Sequence, residues 1–495
     1  MKFDRTKKQA AGKKGSAAKT AGVGAAVQAK KPAKKISPSR RQASAGRKAA
    51  AKSQSADRPK DNGPQLTQEP GKVALESYPS AENRPFSSPL EVLRGRRIVL
   101  TVTGGVAAYK AAELARLLTK NGAQVRVLLT KAAECFVTAL TFSSLTAQPV
   151  ASDLWAETSA RENVAHVAWA QWAEVMVTAP ATANFLAKLT HGLADDLASS
   201  VALAFGGPRL AAPAMNTGMY LNPATRTNLE LLRQRGYRIL ESPEGLLACG
   251  SVGAGRLAEI REIAWETARL LTGGPLEGRR VVVTGGATRE PWDDIRFLSN
   301  RSSGRMGACL AAAAWLMGAE VTFIAGPAAI VPEVSPEGLK IVRIQTCEEL
   351  LAAVRKAIEG AWALVMNAAP ADFKPAEKVA GKIRKSKDKL PQLALTRTPD
   401  ILKTLASELG RTIRVGFAAE DGDNPVQRAR QKLKDKNLDY ICANRAGGAG
   451  DTFESPDIEL TFLSAAGREI PIGPVPKFQA AWTLWELLAA GTKRS

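Results

Sequence analysis

Alternating blocks of apolar and polar residues begin near Leu93 and predict strand–helix–strand units. The stretch RRIVLTVTGGVAAYKAAELARLLTKNGAQVRVLLT contains an apolar strand ending at Thr103, a Gly-Gly turn, and an amphipathic helix that stops around Asn121 and Gly122. A second apolar strand follows. This order is typical of a parallel sheet, where backbone amides at the start of the helix can bind phosphate. The turn lacks the G-x-G-x-x-G spacing, so it does not indicate a dinucleotide site.

Further along, the apolar strands EVMVTAP and PRLAAPAMN end in small or polar residues. Open α/β sheets place their ligand crevice at such strand ends. The next segment, EGLLACGSVGAGRLAE, is rich in glycine and carries Cys249. Its composition predicts a mobile flap.

A second unit of the same kind opens at Arg279, with the strand RRVVVTGG, a long polar loop, an alanine-rich helix and another strand. Gly273 and Gly274 mark the boundary between the two units. The similar openings of the two halves favour the shared parallel-sheet pattern over a recent internal duplication, which stays open as the alternative. We therefore predict an α/β protein with two Rossmann-like domains and mostly parallel sheets, residues 93–274 and 275–495, after an N-terminal extension, residues 1–92.

Most of the net positive charge of the chain lies in the N-terminal extension. Residues 1–60 hold 18 Lys or Arg and two Asp, a net charge of +16 out of +22 for the chain. The segment is rich in Ala, Lys, Gly and Pro without apolar periodicity, so we expect it to be disordered. Such a basic tail can bind nucleic acid nonspecifically by counterion release, although a solvated appendage without a specific partner is the alternative.

Composition excludes several other classes. No apolar run approaches the roughly 20 residues of a membrane helix, and no signal-type apolar segment is seen at the N-terminus, so we expect a cytoplasmic protein without membrane contact. The five cysteines are odd in number and lack C-x-x-C spacing. This argues against a disulfide framework or a zinc site.

Seven motifs then occur in a recognisable order: GGVAAYK, APATAN, PAMN, ACG, GATREPWDDIRFLSNRSSGRMG, GFAAE and LDYICAN. The chain resembles, over about residues 93–490, the bifunctional coenzyme A biosynthesis flavoproteins. These join a phosphopantothenoylcysteine decarboxylase to a phosphopantothenate–cysteine ligase. The resemblance implies that the C-terminal half ligates 4'-phosphopantothenate with cysteine, and that the N-terminal half converts the product to 4'-phosphopantetheine.

For the N-terminal half, the resemblance implies that FMN oxidises the substrate thiol, after which CO2 is lost and an enethiolate is protonated. His166, one of only two histidines, matches the family's active-site histidine, although a lone histidine is more often structural. Asn216 matches the residue that holds the substrate carboxylate, and Cys249 matches the acid that protonates the enethiolate. FMN is expected on seven residues at successive strand ends: Gly104, Gly105, Val106, Thr130, Ala181, Thr182 and Asn184.

For the C-terminal half, the resemblance implies activation of the substrate carboxylate by CTP, with Mg2+, to give an acyl-nucleotide and pyrophosphate. Asn300 matches the residue that binds this intermediate, and Lys382 matches the lysine of a flexible lid. Asp372 matches the nucleotide and metal site. The remaining expected nucleotide contacts are Arg296, Arg397, Thr398, Pro399, Asp400, Phe417, Lys432 and Lys436. This chain reads Arg397-Thr398-Pro399-Asp400 where the family often has Lys-Asn-Pro-Asp, and Arg305 where Lys is frequent.

The resemblance also implies a homo-oligomer, with trimeric flavin domains and paired ligase domains. Two other functions stay open at this point. One is a different flavin-dependent decarboxylase of the same fold, which would not need the C-terminal motifs. The other is a polyanion-binding protein whose enzyme domains are inactive, against which the retained His166, Asn216, Cys249, Asn300 and Lys382 argue.

Overall fold

The computed structural model describes residues 85–155, 165–384, 392–420, 424–445 and 455–491. Most of the predicted basic extension therefore lies outside the described residues. A 3₁₀ turn, Pro89–Leu93, buries Leu90 and Leu93 ahead of the first strand. The predicted boundary at residues 92 and 93 falls inside this turn. Within the described part of the chain, no helix combines the length and the apolar character needed to cross a membrane.

The N-terminal lobe is a six-stranded parallel sheet covered by helices. Its strands are β1 (Arg97–Val102), β2 (Gln124–Leu129), β3 (Val150–Ala151), β4 (Val175–Ala181), β5 (Arg209–Pro213) and β6 (Tyr237–Ile239). They lie in the order β3-β2-β1-β4-β5-β6. Every residue of β4 is buried, as expected for a central parallel strand with helices on both faces.

The helices of this lobe follow local sequence signals. The first begins after the Gly-Gly turn, buries its apolar stripe of Ala111, Leu114, Ala115 and Leu118, and ends before Gly122, whose φ of +87° suits glycine. The eight helices are α1 (Ala108–Lys120), α2 (Ala139–Thr146), α3 (Ala165–Trp172), α4 (Ala183–His191), α5 (Leu197–Ala204), α6 (Thr217–Leu221), α7 (Pro223–Gln234) and α8 (Ile260–Thr272). The predicted flap is an antiparallel hairpin of β7 (Glu244–Leu246) and β8 (Val252–Ala254).

The C-terminal lobe contains an eight-stranded sheet and two short ribbons. Its elements in chain order are β9 (Arg280–Gly285), β10 (Glu290–Pro291), β11 (Phe297–Leu298), α9 (Arg305–Leu316), β12 (Glu320–Ala325), β13 (Leu339–Arg343), α10 (Cys347–Ala357), β14 (Ala363–Met366), β15 (Phe373–Pro375), β16 (Leu395–Arg397), α11 (Ile401–Thr404), β17 (Ile413–Glu420), α12 (Pro425–Asp435), β18 (Tyr440–Arg445), β19 (Asp457–Ser464), β20 (Glu469–Pro476) and α13 (Lys477–Gly491). The large sheet has the order β13-β12-β9-β14-β17-β18-β19-β20. Only its last two pairings, β18 with β19 and β19 with β20, are antiparallel, so β19 alone runs against the other strands. The ribbons pair β10 with β11 and β15 with β16.

Both sheets reverse their strand order once. The reversal lies between β1 and β4 in the N-terminal lobe, and between β9 and β14 in the C-terminal lobe. Ligands of open parallel sheets bind outside the carboxyl ends of the strands at such a reversal. The predicted fold class, two Rossmann-like α/β lobes with mostly parallel sheets, is confirmed, and each lobe has one place where a ligand crevice is expected.

The two lobes share a continuous hydrophobic core. Helix α8 of the N-terminal lobe packs against α9 of the C-terminal lobe, where the rings of Trp265 and Trp315 lie 5.9 Å apart. Both tryptophans are fully buried. At the edge of this interface, Arg238 bridges the buried carboxylate of Glu266 at 2.8 Å and Glu337 of the other lobe at 2.9 Å.

Candidate functional site

The flavin crevice predicted in the N-terminal lobe lies where the sheet order reverses. Thr103, buried at the end of β1, donates its hydroxyl hydrogen to Pro180 O at 2.7 Å and accepts from Thr182 N at 3.0 Å. These two bonds fix the loop after β1 against the loop after β4. All seven predicted contacts lie at the carboxyl ends of three neighbouring strands: Gly104, Gly105 and Val106 after β1, Thr130 after β2, and Ala181, Thr182 and Asn184 at the junction of β4 and α4.

The crevice suits a phosphate-bearing group. Helices α1 and α4, which begin there, have no side-chain cap, whereas α5, α6 and α7 are all capped by Asp or Asn. Uncapped helix starts leave backbone N–H groups for an anionic ligand. A Cβ at Gly104 would lie 2.3 Å from the Cβ of Ala132, so only glycine lets the loops after β1 and β2 approach this closely. Sequence reasoning missed Thr103, although a threonine just before a Gly-Gly turn was visible.

The flap hairpin brings Cys249 to Asn216. The Nδ2 group of Asn216 donates to Cys249 Sγ at 3.5 Å, while Asn216 Oδ1 caps α6 by accepting from Gly218 N at 2.8 Å. The base of the hairpin is held by Met215 N, which donates to Gly255 O at 2.9 Å. Two predicted catalytic residues, distant in sequence, are therefore adjacent and exposed to solvent.

Hydrogen bonds make Cys249 an acidic thiol. They lower its pKa from 9.0 to about 7, the largest contribution coming from the Ser251 side chain, followed by the Ser251 backbone and the Asn216 amide. Donors that bind the thiolate favour the charged form. The other cysteines with shifted values go the opposite way, since burial raises the pKa of Cys309 and of Cys347 to about 11. Cys249 is thus equipped for proton transfer near neutral pH.

His166 lies in the first turn of α3, ahead of the buried strand β4 as its sequence position predicted. The helix packs against α5 through Trp169 and Ala170. Among the described residues no hydrogen bond joins His166 to Asn216 or Cys249. Residues 156–164, just before α3, lie outside the described part.

In the C-terminal lobe, eight of the ten predicted nucleotide contacts line one cavity of about 640 Å³. The cavity opens beside the carboxyl ends of β14 and β17. Its predicted members are Asp372, Arg397, Thr398, Pro399, Asp400, Phe417, Lys432 and Lys436.

A helix cap and two ion pairs fix several of the side chains that line this cavity. Asp400 caps α11 by accepting from Lys403 N, and it forms an ion pair with Lys436 at 3.2 Å. Lys432 pairs with the nearly buried carboxylate of Glu420 at 2.6 Å. Lys432 of α12 and Lys436 just after it are therefore held at the edge of the cavity by carboxylates from separate segments.

A second cavity of about 300 Å³ adjoins the first and shares Ala368, Phe417 and Lys432 with it. Asn300 reaches it and donates Nδ2 to Pro370 O at 2.8 Å. The uncapped start of α9, with Gly304 at a φ of +73°, also opens into it. The described lining includes three cations and no carboxylate side chain; the cations are Arg305, Lys432 and Lys477. The sequence analysis did not identify Lys477, which is almost fully buried. A lysine at the start of a helix rich in aromatic residues forms no recognisable motif.

Arg296 and Lys382 lie on the segments that flank these cavities. Arg296 donates to Asp293 Oδ2 at 2.8 Å and to Ile383 O at 3.3 Å. Burial raises the pKa of Asp293, but hydrogen bonds from backbone N–H groups, above all that of Arg296, outweigh burial and lower it. Lys382 is exposed next to this anchor. Among the described residues, neither Arg296 nor Lys382 lines the two cavities; residues 385–391 of the predicted lid are outside the described part.

The predicted metal residue, Asp372, is exposed beside Arg397 and Thr398. The described residues contain no cluster of three or more His, Cys, Asp or Glu that could hold a metal ion. Mg2+ is usually held by one or two carboxylates together with substrate phosphates, rather than by a complete protein cage. Asp372 and Asp400 both line the larger cavity, and one or two carboxylates fit that mode of binding.

Each of the two lobes matches a known protein family. The family described as Flavoprotein matches residues 87–272, and the DNA/pantothenate metabolism flavoprotein C-terminal domain matches residues 276–491. The coenzyme A biosynthesis bifunctional protein CoaBC of Bacillus subtilis is 39% identical over 410 residues, which are 82% of this chain and 99% of that protein. The chain belongs to the CoaBC family.

Two further CoaBC relatives agree. The protein of Vibrio cholerae serotype O1 is 39% identical over 381 residues, 77% of this chain and 94% of the relative. The protein of Mycobacterium tuberculosis strain H37Rv is 41% identical over 389 residues, 76% of this chain and 91% of the relative. The family resemblance inferred from the seven motifs is thus confirmed. The crevice, the flap and the paired cavities can therefore be considered together as features of one CoaBC protein.

Proposed function

We propose that this chain catalyses two consecutive steps of coenzyme A biosynthesis. The C-terminal lobe joins 4'-phosphopantothenate to cysteine at the expense of CTP, through an acyl-nucleotide. The N-terminal lobe then decarboxylates phosphopantothenoylcysteine to 4'-phosphopantetheine with FMN. The observation that carries the proposal is the contact of Cys249, on the flap hairpin, with Asn216 at the start of α6, in a chain that also has two adjoining cavities lined by cations.

In the N-terminal lobe, FMN would lie on the loops after β1, β2 and β4 and would supply oxidation and reduction of the substrate. Asn216 binds the substrate carboxylate with its amide. His166 accepts or orients a proton during oxidation, a role suited to imidazole near neutral pH. After loss of CO2, the S–H bond of Cys249 breaks and its proton forms a C–H bond on the enethiolate carbon.

In the C-terminal lobe, the larger cavity takes the base and ribose of CTP and the smaller one takes its phosphates. Three features support this division: the cavities are contiguous, the smaller one is lined by Arg305, Lys432 and Lys477, and α9 begins there without a cap. Asp372 lines the larger cavity, so it would hold Mg2+ together with the phosphate nearest the ribose, where the two cavities adjoin. Asn300 binds the acyl-nucleotide, and Lys382 closes over it from the lid. Arg296, just before β11, holds the lid backbone through Ile383 O and reaches the nucleotide when the lid closes.

The chain acts as a homo-oligomer in this proposal. Large apolar side chains are exposed around the flavin crevice and the flap, and a second copy would cover them. They are Val106, Tyr109, Met219, Leu246 and Val252. All five cysteines are free, in keeping with a reducing, cytoplasmic setting. The basic extension adds nonspecific contact with nucleic acid.

Three measurements test the proposal. Purified protein should carry a flavin absorption band, and it should release pyrophosphate only when 4'-phosphopantothenate and CTP are both supplied. CO2 should appear from added phosphopantothenoylcysteine without any nucleotide. Asn300→Ala should abolish the ligation alone, and Cys249→Ser the formation of phosphopantetheine alone. Protein that takes up no FMN, or CO2 release that requires CTP, would contradict the assignment.

A further inference from the structure

The tip of the flap places a hydroxyl group next to the predicted proton donor. Leu247 N donates to Ser251 O at 2.8 Å and Gly250 N donates to Leu247 O at 2.9 Å, which closes a tight loop between β7 and β8. Gly250, at a φ of +82°, allows this turn. As a result, Ser251 Oγ lies 3.1 Å from Cys249 Sγ.

The sulfur is therefore held from two sides. Ser251 approaches it from the hairpin itself, and Asn216 Nδ2 approaches it at 3.5 Å from the start of α6. Asn216 cannot turn away easily, because its Oδ1 accepts from Gly218 N. The amide only donates through Nδ2, whereas a hydroxyl can donate or accept, so Ser251 can follow the thiol through both of its protonation states.

We propose that Ser251 is a positioning residue for Cys249, which orients the thiol beside Asn216 and donates a hydrogen bond to the thiolate left after proton transfer. The inference deepens the proposed decarboxylation and rests on it for its catalytic part. The contact between the two side chains stands independently of that function.

The Ser251 hydroxyl acts at one step of the proposed reaction, the proton transfer from Cys249. When the Cys249 proton moves to the substrate carbon, negative charge forms on sulfur, and an existing hydroxyl donor stabilises it without reorganisation. Solvent then returns a proton to the exposed sulfur. The Ser251 hydroxyl is also the largest contribution to the lowered pKa of Cys249.

Other ionisable groups on the neighbouring elements have partners of their own. Tyr220 of α6 donates to Glu241, and Arg256, which follows β8, pairs with Glu259. Glu244 of β7 is exposed. The hydrogen bonds that lower the pKa of Cys249 come from Ser251, Asn216 and the loop backbone.

The test measures iodoacetamide alkylation of Cys249 in the full chain as a function of pH, by mass spectrometry of its peptide. Exposed Cys135, in the same samples, is the reference thiol. Ser251→Ala should raise the midpoint of Cys249 alkylation by roughly one pH unit, the size expected for one lost hydrogen bond to an exposed charged group. Ser251→Thr, which restores the hydroxyl, should return the midpoint towards the parent value. Cys135 should not respond to either change.

Activity separates a positioning role from a merely structural one. In Ser251→Ala, the fall of phosphopantetheine formation at high pH should move upward by the same amount, while ligation stays at the parent rate. An unchanged alkylation midpoint in Ser251→Ala would overturn the proposal. A shifted midpoint with an unmoved pH profile would overturn its catalytic part. A Cys249→Ser variant that forms phosphopantetheine at the parent rate would instead defeat the proposed role of the cysteine.

Discussion

Replacing Arg269 by alanine tests how firmly the two lobes are joined. Arg269, on α8, donates from its guanidinium to the backbone carbonyls of Trp315, Gly318 and Ala319 at the C-terminal end of α9. Its guanidinium also lies 4.6 Å from the centre of the Trp315 ring. A side chain of the N-terminal lobe thus caps the C-terminal end of a helix in the C-terminal lobe. The positive charge of its guanidinium also interacts favourably with the negative end of the helix dipole.

The size of the effect follows from these contacts. Three hydrogen bonds at about 1 kcal/mol each give roughly 3 kcal/mol, and the cation–π contact adds about 0.5–1 kcal/mol. Water can reach the carbonyls vacated at this partly exposed site and recovers part of the loss. We therefore expect Arg269→Ala to destabilise the protein by about 2–3 kcal/mol.

Arg261→Ala is the matched control, since Arg261 crosses the same interface to Glu333 but both side chains are exposed. An exposed ion pair contributes about 0.2–1 kcal/mol. Urea unfolding followed by tryptophan fluorescence should report the difference, because Trp265 and Trp315 lie at the interface. Equal shifts for the two variants would show that the carbonyl contacts of Arg269 do not hold the lobes together.

The remaining predictions concern separate parts of the chain. Lys382→Gln should lower ligation by roughly one to two decades, as loss of a charge-assisted contact implies, and leave decarboxylation of added phosphopantothenoylcysteine intact; equal loss of both activities would contradict it. Cys249→Ser should still release CO2 yet form little phosphopantetheine, and in the parent protein product formation should fall as the pH rises through about 7, because the thiol then loses its proton. Removing residues 1–84 should keep both activities and weaken salt-sensitive binding to nucleic acid, measured by a salt titration.

Much of the fold was accessible from sequence because its signals are local. Apolar strands, Gly-Gly turns and one amphipathic helix predicted the parallel order, and the strand ends located the flavin crevice at Gly104 and Thr182. Motif order also gathered the nucleotide residues that line one cavity. The fold class is confirmed because each of its signals depends on a few neighbouring residues. The structure brings the predicted flavin and nucleotide residues together, and their roles stay predictions.

Other features could not be predicted, because they depend on packing between segments that are distant in sequence and leave no local sequence pattern. The burial of Lys477, the contact of Arg269 with α9 and the hydroxyl of Ser251 beside Cys249 each need the assembled structure. Arg296 illustrates the same limit. Its spacing from Asn300 predicted a nucleotide contact, but the structure places its guanidinium on Asp293 and the lid backbone, so a role at the nucleotide would have to involve movement of the lid.

The first residues that the structure describes are in contact with the last described helix. Phe86 N donates to Gln479 Oε1 at 3.0 Å across 393 positions of sequence, and the Phe86 ring lies 5.9 Å from that of Trp482. During synthesis, Phe86 leaves the ribosome long before α13 exists, so the N-terminal lobe must wait for the end of translation before this contact can form. A stop codon ahead of α13 would therefore expose, at once, apolar surface on Phe86 and on the part of the C-terminal lobe that α13 covers.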